Sequence, residues 1–248
     1  SIKPSTGSDS QATAIVLVSD WHWAEDVQEE SVNGLNAFNP TIRKSRADFF
    51  FTNLTRLVKF YQGGSKINEL VVALLGDFIS NNIHDELMES NNDLQIDELI
   101  SVQATILSGI KFILANTNVN LVITCASGNH GRTTKKLHLS TEAGNSLEYL
   151  MYHNLASHFV GNPRVKFIIP RSYLSYLDVN GFVIRFHHGH AIKYGGGIGG
   201  IFIPSFKAIS QWDKGRRADL DCFGHYHQTK DGGKFLCNGS LVGYNDFA

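Results

Sequence analysis

Cysteine is scarce in this chain, with three residues in 248, and so are methionine, with two, and proline, with five. A small, odd number of cysteines does not make a disulfide framework. Cys125, Cys222 and Cys237 lie in or beside apolar strand-like runs and read as buried small hydrophobes in a reducing compartment. A Cys222–Cys237 bridge between neighbouring strands is conceivable, but the odd count and the lack of a secretory leader argue against it. Net charge is missing too: 22 basic against 23 acidic side chains give −1 at pH 7. Such a chain has no global pull toward polyanions or anionic membranes, so any nucleic-acid contact must come from a local basic surface. No uninterrupted apolar run approaches the roughly 18 residues of a membrane span. These readings imply a cytoplasmic globular protein. Internal repeats and low-complexity blocks are absent as well, and an apolar content of 42% is enough for a substantial core.

Residues 1–12 are rich in Ser, Thr, Gly and Gln and read as a flexible tail before one domain over 13–248. Residues 14–18, 70–75 and 120–125 are short continuous apolar runs, the pattern of strands buried on both faces. Ile42, Phe50, Leu54, Leu57, Val58 and Tyr61 follow helical spacing, which Gly63-Gly64 stops. A second helix carries Leu99, Ile106, Ile110 and Ile113 in register, and a third covers 146–159. Then the pattern changes to short strands at 165–169, 173–179 and 182–187, with Asn180-Gly181 as a hairpin turn. A glycine-rich loop at 195–200, a helix around 206–212 and two strands flanking Gly224 and Asn238 complete the chain. Strand–helix alternation followed by hairpins predicts an α/β fold, with two packed mixed sheets and helices outside.

Five short motifs stand where strands should end: Asp20-Trp21-His22, Gly76-Asp77, Gly128-Asn129-His130, His188-Gly189-His190 and Gly224-His225-Tyr226-His227. Asp, Asn and His are good ligands for divalent first-row metals, and no Cys lies among them. Two cations about 3.5–4 Å apart offset the charge that protects a phosphate ester, clamp its oxygens and generate hydroxide. Such a pair needs a bridging anionic ligand, and Asp77 fits that role. Residues two apart on an extended segment point to the same side. Asp20 with His22, and His225 with His227, are therefore expected to face one site together.

The order of these motifs resembles the calcineurin-like metallophosphoesterase superfamily, over a span from Asp20 to His227. The resemblance implies a four-layer α/β/β/α sandwich. It also implies a ligand set: Asp20, His22 and His227 on one metal, Asn129, His188 and His225 on the other, and Asp77 bridging. The expected cofactors are two divalent ions, Mn²⁺ first, with Fe or Zn²⁺ as alternatives. His130 would be the catalyst that is not a ligand, placed over the leaving-group oxygen, with Asn129 and Asp77 completing the catalytic set. His187, His188 and His190 compete for one ligand position; His188 is chosen because it directly precedes Gly189, as the family's ligand does. Gly128 through Arg132, Ile83-His84 and Asn238-Gly239-Ser240 are similar to bacteriophage phosphoesterases and to the DNA-repair exonuclease branch. That narrower likeness implies a phage-encoded protein acting in a host cytoplasm.

Many relatives carry an acid directly after the catalytic His; Gly131 stands there in this chain, so the orienting partner of His130 is in question. Arg132 either clamps a substrate phosphate through its planar fork or is a solvated loop arginine. His190 is expected at the substrate or behind a ligand, and His84 at the cleft or in a loop. Trp21 and Trp23 either stack on a base or pack in the core. Asn36, Asn39 and Arg46 lie where relatives place substrate-facing loops. Lys207, Lys214, Arg216 and Arg217 form the clearest basic patch, either a nucleic-acid track or ordinary solvated surface. The expected activity is hydrolysis of a phosphodiester in nucleic acid, DNA or RNA, with no membrane partner and no protein partner identified. The alternatives are a phosphomonoesterase acting on phosphoproteins or nucleotides, and a metal-free scaffold that binds protein.

Overall fold

The computed structural model describes residues 11–81 and 91–245. The first sheet takes its strands in sequence order: β1 (Gln11–Val18), β2 (Lys66–Leu74), β3 (Asn120–Cys125) and β4 (Val165–Ile168), each parallel to the next. Helices α1 (Pro40–Gln62), α2 (Gln95–Asn116) and α3 (Leu147–Ser157) provide the crossovers. The second sheet contains β5 (Ser175–Val179), β6 (Phe182–Phe186), β7 (Leu220–Phe223), β8 (Lys230–Asp231) and β9 (Phe235–Cys237), in the order β5-β6-β7-β9-β8. Its central pairs, β6–β7 and β7–β9, are parallel, and its outer pairs are antiparallel. Helix α4 (Phe202–Trp212) lies beyond it.

The continuous apolar runs follow from this layering. Leu70, Val72 and Leu74 pack into the core under α1, α2 and α3. Their neighbours Val71, Ala73 and Leu75 point the other way and meet Ile184, Phe186 and Cys222 of the second sheet. A strand between two cores has no polar face, so it reads as an unbroken run. Each large side chain so buried contributes on the order of 1.5–3 kcal/mol. A third cluster joins Ile201 and Ile209 to Phe223, Phe235 and Cys237, sealing α4 against the outer face of the second sheet. The result is the expected α/β/β/α sandwich.

Local chemistry sets the ends of the elements. The Asn39 side chain accepts from the Thr41 and Ile42 amides ahead of Pro40, and so caps α1. Asn180 and Gly181 both have positive φ, 55° and 84°, as a tight hairpin turn between β5 and β6 requires. Strand 165–168 joins the first sheet rather than the hairpin region that follows it in sequence. Cys222 and Cys237 sit on adjacent strands but one residue out of register, Phe223 facing Cys237. They therefore point into opposite cores, and all three cysteines are free and buried. Among the described residues, α2 alone is long and apolar enough by length and composition to cross a membrane, although polar residues interrupt its apolar run. Its stripe of Leu99, Val102, Ile106, Ile110 and Ile113 is core.

Candidate metal centre

All five motifs leave the carboxyl ends of parallel strands. Asp20 and His22 follow β1, Asp77 follows β2, Asn129 and His130 follow β3, His188 follows β6 and His225 with His227 follow β7. Ligand sites of open α/β sheets form at this edge. The local backbone is not the extended one expected from the two-residue spacing. Asp20, His22, Asp77, His225 and His227 have φ of 56°, 42°, 52°, 70° and 54°. The strands have ended, and each residue turns in the left-handed region at a cost on the order of 1–3 kcal/mol. Five of the eight described non-glycine residues with positive φ belong to this cluster, so the strain is concentrated where side chains must converge.

Three overlapping groups of donors result: Asp20, His22 and His227; His22, Asp77 and His130; and Asp77, His188 and His225, their donor atoms within 4.8 Å of one another in each group. In the first, His22 Nε2 lies 3.1 Å from His227 Nε2, which lies 3.6 Å from Asp20 Oδ1. In the third, His188 Nε2 lies 2.8 Å from Asp77 Oδ2 and 3.2 Å from Asn129 Oδ1. Asp77 is common to two groups, with His130 Nε2 at 4.0 Å from its Oδ2. Carboxylates, imidazoles and one amide oxygen, with no thiolate, form a donor set suited to divalent first-row ions. Close approach needs glycine at two points. A Cβ at Gly128 would overlap Asp77 Oδ1, and one at Gly224 would overlap Ser19 Oγ and Asp20 Oδ2.

Backbone carbonyls fix two imidazole tautomers. His188 Nδ1 lies 2.7 Å from the Leu75 carbonyl and His130 Nδ1 2.7 Å from that of Ser80. A carbonyl only accepts, so each Nδ1 carries its proton, and each Nε2 faces the cluster. Burial, then His130 and His227, push His22 well below its ordinary pKa; burial and His188 do the same to His225. Both offer neutral lone pairs. Burial would also lower His188, but the Asp77 carboxylate raises it to about 10. Asp77 is fully buried, yet His188 and His130 hold it well below the usual carboxylate range. Burial raises Asp20, against His188 and His227.

Two buried glutamates with no part in the motif pattern hold the loops. Glu98 of α2 accepts from the amides of Ala24 and Ser80, both 2.7 Å, and of Asn81 at 3.3 Å. Glu148 of α3 accepts from Phe78 at 2.6 Å and Gly128 at 2.7 Å. Its side chain also fills the space beside Gly131, where a Cβ would come within 2.9 Å of Glu148 Cγ. The position after His130 is thus packed against a glutamate, while the His130 ring itself is held by the Ser80 carbonyl. Burial and then Asp77 raise Glu148 to about 8.

His190 ring packs 5.4 Å from that of His188, and its Nε2 lies 3.0 Å from Glu142 Oε1, both side chains buried. Arg132 Nη1 donates to the Asn129 carbonyl at 2.6 Å. His84 lies outside the described residues. His187 stacks on Phe223, away from the cluster, with Asp221 at 3.5 Å. Trp21 and Trp23 are core residues, stacked on each other at 5.7 Å. Asn36 and Arg46 bind the carbonyls of Val242 and its neighbours instead of facing the site. Lys214, Arg216 and Arg217 are exposed just before β7 begins, whereas His225 follows its end. These three and the cluster therefore occupy opposite ends of that strand, while Lys207 is exposed on α4.

No family model matches the chain, and no curated protein shows significant similarity to it. Among solved structures, a conserved uncharacterised protein of Streptococcus pneumoniae described as a predicted phosphoesterase aligns at 14% identity over 91% of this chain and 71% of its own, with a TM-score of 0.33. A protein of unknown function from Aquifex aeolicus aligns at 15% over 92% and 89%, TM-score 0.36. Vps29 of Entamoeba histolytica aligns at 12% over 94% and 78%, TM-score 0.35. None of the three is described as a phage or repair enzyme. The α/β/β/α layering and the convergence of the five motifs at the carboxyl ends of strands from both sheets match the arrangement expected from the motif order.

Proposed function

We propose that the protein is a metal-dependent hydrolase of phosphate esters, with a phosphodiester as its preferred substrate. The overlap of three Asp/His groups, two of which share Asp77, is the observation that supports it. In this reading Asp20, His22 and His227 would hold one divalent ion, Asn129, His188 and His225 would hold the second, and Asp77 would be shared between them. Bound ions of this kind lower the pKa of water from about 15.7 to about 7 and neutralise phosphate charge. The protein does the rest. Left-handed bends aim the donors, and the Leu75 carbonyl keeps His188 Nε2 turned inward. Asn129 offers its side chain to a phosphoryl oxygen. His130, anchored through Nδ1 on Ser80, presents Nε2 to the leaving oxygen; as an imidazolium it donates the proton the departing alkoxide needs.

The preference for a diester rests on the resemblance of Gly128 through Arg132 to repair nucleases, since the same metals would serve mono- and diesters alike. Arg132, a basic side chain beside Asp77, would add a fork of donors for a phosphoryl oxygen. DNA and RNA are diesters, but Lys214, Arg216 and Arg217, at the far end of β7, lend them no support. The test is turnover of bis(p-nitrophenyl) phosphate against p-nitrophenyl phosphate with Mn²⁺, Fe²⁺ or Zn²⁺, then of single-stranded DNA, duplex DNA, RNA and cyclic nucleotides. Faster diester turnover supports the reading. Faster monoester turnover replaces it with the phosphomonoesterase, and no turnover of any ester by metal-loaded protein overturns it.

A further inference from the structure

We propose that Glu98 and Glu148 are positioning residues with separate tasks: Glu148 sets the metal ligands, and Glu98 sets His130. The proposal rests on the metal-site reading above. Both are wholly buried acids in the first turns of their helices, α2 and α3. Among the described residues neither has a cationic side chain as hydrogen-bond partner; each spends its oxygens on backbone amides of loops that carry functional residues. Glu148 accepts from Phe78, next to Asp77, and from Gly128, next to Asn129. One carboxylate therefore spans the loop of the bridging ligand and the loop of the amide ligand, and fixes their separation. Glu98 acts on a different peptide. It accepts from the Ser80 and Asn81 amides, while the Ser80 carbonyl, in the same peptide unit as the Asn81 amide, holds His130 Nδ1. The Asn81 side chain then donates to the His130 carbonyl at 2.6 Å. Glu98 thus grips the peptide that orients the imidazole. Its third bond, to Ala24, ties in the loop of His22.

The oxygens used give each variant a distinct expectation. Glu148 uses one oxygen per loop, so Glu148→Gln, with a single acceptor, releases one of the two loops. Mn²⁺ affinity should fall about 10–100-fold, the loss typical of groups behind metal ligands. Glu98 binds Ala24 and Ser80 through Oε1, which Gln retains, and Asn81 through Oε2, which it loses. Glu98→Gln should leave Mn²⁺ affinity within about threefold of the parent and KM unchanged. It should lower kcat, more with alkyl than with nitrophenyl leaving groups, because a misplaced His130 matters most when the leaving oxygen needs a proton. Arg164→Met is the control for plain destabilisation. Arg164 satisfies the carbonyls of Leu114, Thr117 and Val119 at the opposite end of the first sheet. It should lower the Tm and leave Mn²⁺ affinity and leaving-group dependence untouched.

The experiment is Mn²⁺ titration calorimetry on the parent and the three variants, with thermal melts and kcat and KM on one diester with an alkyl leaving group and one with a nitrophenyl leaving group. Weaker Mn²⁺ binding in Glu148→Gln alone, with leaving-group-dependent kcat loss in Glu98→Gln alone, is the expected result. Should Glu148→Gln not fold, Glu98→Gln, which keeps two of its three bonds, decides by its kcat pattern. Variants that lose only Tm, as Arg164→Met does, overturn the positioning roles. A parent that binds no Mn²⁺ overturns the metal-site reading itself, and is told apart by that.

Discussion

Asp77 Oδ2 and His188 Nε2 lie 2.8 Å apart, although the first follows a strand of one sheet and the second a strand of the other. This contact joins the two sheets at the site. It also makes a proton a competitor of the metal. His188 is held up to about 10 by Asp77, against the pull of burial, so at neutral pH its Nε2 carries a proton that a metal must displace. His22 and His225, both pushed well below their ordinary values by burial, bring none.

The sign follows directly. A group protonated in the metal-free protein and deprotonated in the complex makes affinity rise with pH, by about tenfold per unit for one proton, from neutral pH up to about 10. Mn²⁺ titrations between pH 6 and 8.5, in buffers of different ionisation enthalpy, should show release of about one proton for the ion at His188. Affinity flat in pH with no proton release contradicts this.

His130→Ala separates binding from chemistry. His130 lies 4.0 Å from Asp77 and takes its orientation from Ser80. The variant should keep its metal content and fold, and lose roughly 10²–10⁴-fold in turnover as expected for a general acid. The loss should shrink with nitrophenolate leaving groups. Equal losses with good and poor leaving groups would assign His130 to holding phosphate instead.

Gly128→Ala probes the close approach of two loops. The added methyl would overlap Asp77 Oδ1 and the Asp77 amide. It should destabilise the protein by about 1–3 kcal/mol, the usual cost of overpacking, and weaken Mn²⁺ binding with it. Gly144→Ala, which points into open space, should change neither. Chemical denaturation with and without Mn²⁺ reads both effects; unaltered Mn²⁺ binding in Gly128→Ala would show that the loops tolerate separation.

Much of this was readable from residues alone, for identifiable reasons. Strands buried on both faces appear as unbroken runs, so β2 and β3 were placed with the motif residues at their carboxyl ends. Asn180-Gly181 declares its turn because both residues sit at positive φ. The ligand spacing was rationalised wrongly: Asp20–His22 and His225–His227 converge through left-handed bends, which no hydrophobic period records. The basic patch was read by its nearness in sequence to Gly224, but four strand residues carry the chain from one end of the sheet to the other. Glu98 and Glu148 were missed, although a signal exists. Glu98 shares a helical stripe with Val102 and Ile106, and Glu148 shares one with Met151, Tyr152 and Leu155. An acid on an apolar stripe must find donors in the interior, and here the donors are the motif loops. The Glu142 partner of His190 comes from the short 3-10 helix Leu139–Asn145, remote in sequence, and nothing local signals it.

The central claim, a two-ion site organised on Asp77, is tested most directly by metal stoichiometry. Protein freed of metal, loaded with Mn²⁺ and desalted should carry about two ions per chain, and Asp77→Ala should lose both, because the account shares this carboxylate, a member of two of the three donor groups, between the ions. A parent chain that binds no Mn²⁺, or an Asp77→Ala variant that retains two ions and full turnover, would contradict the account.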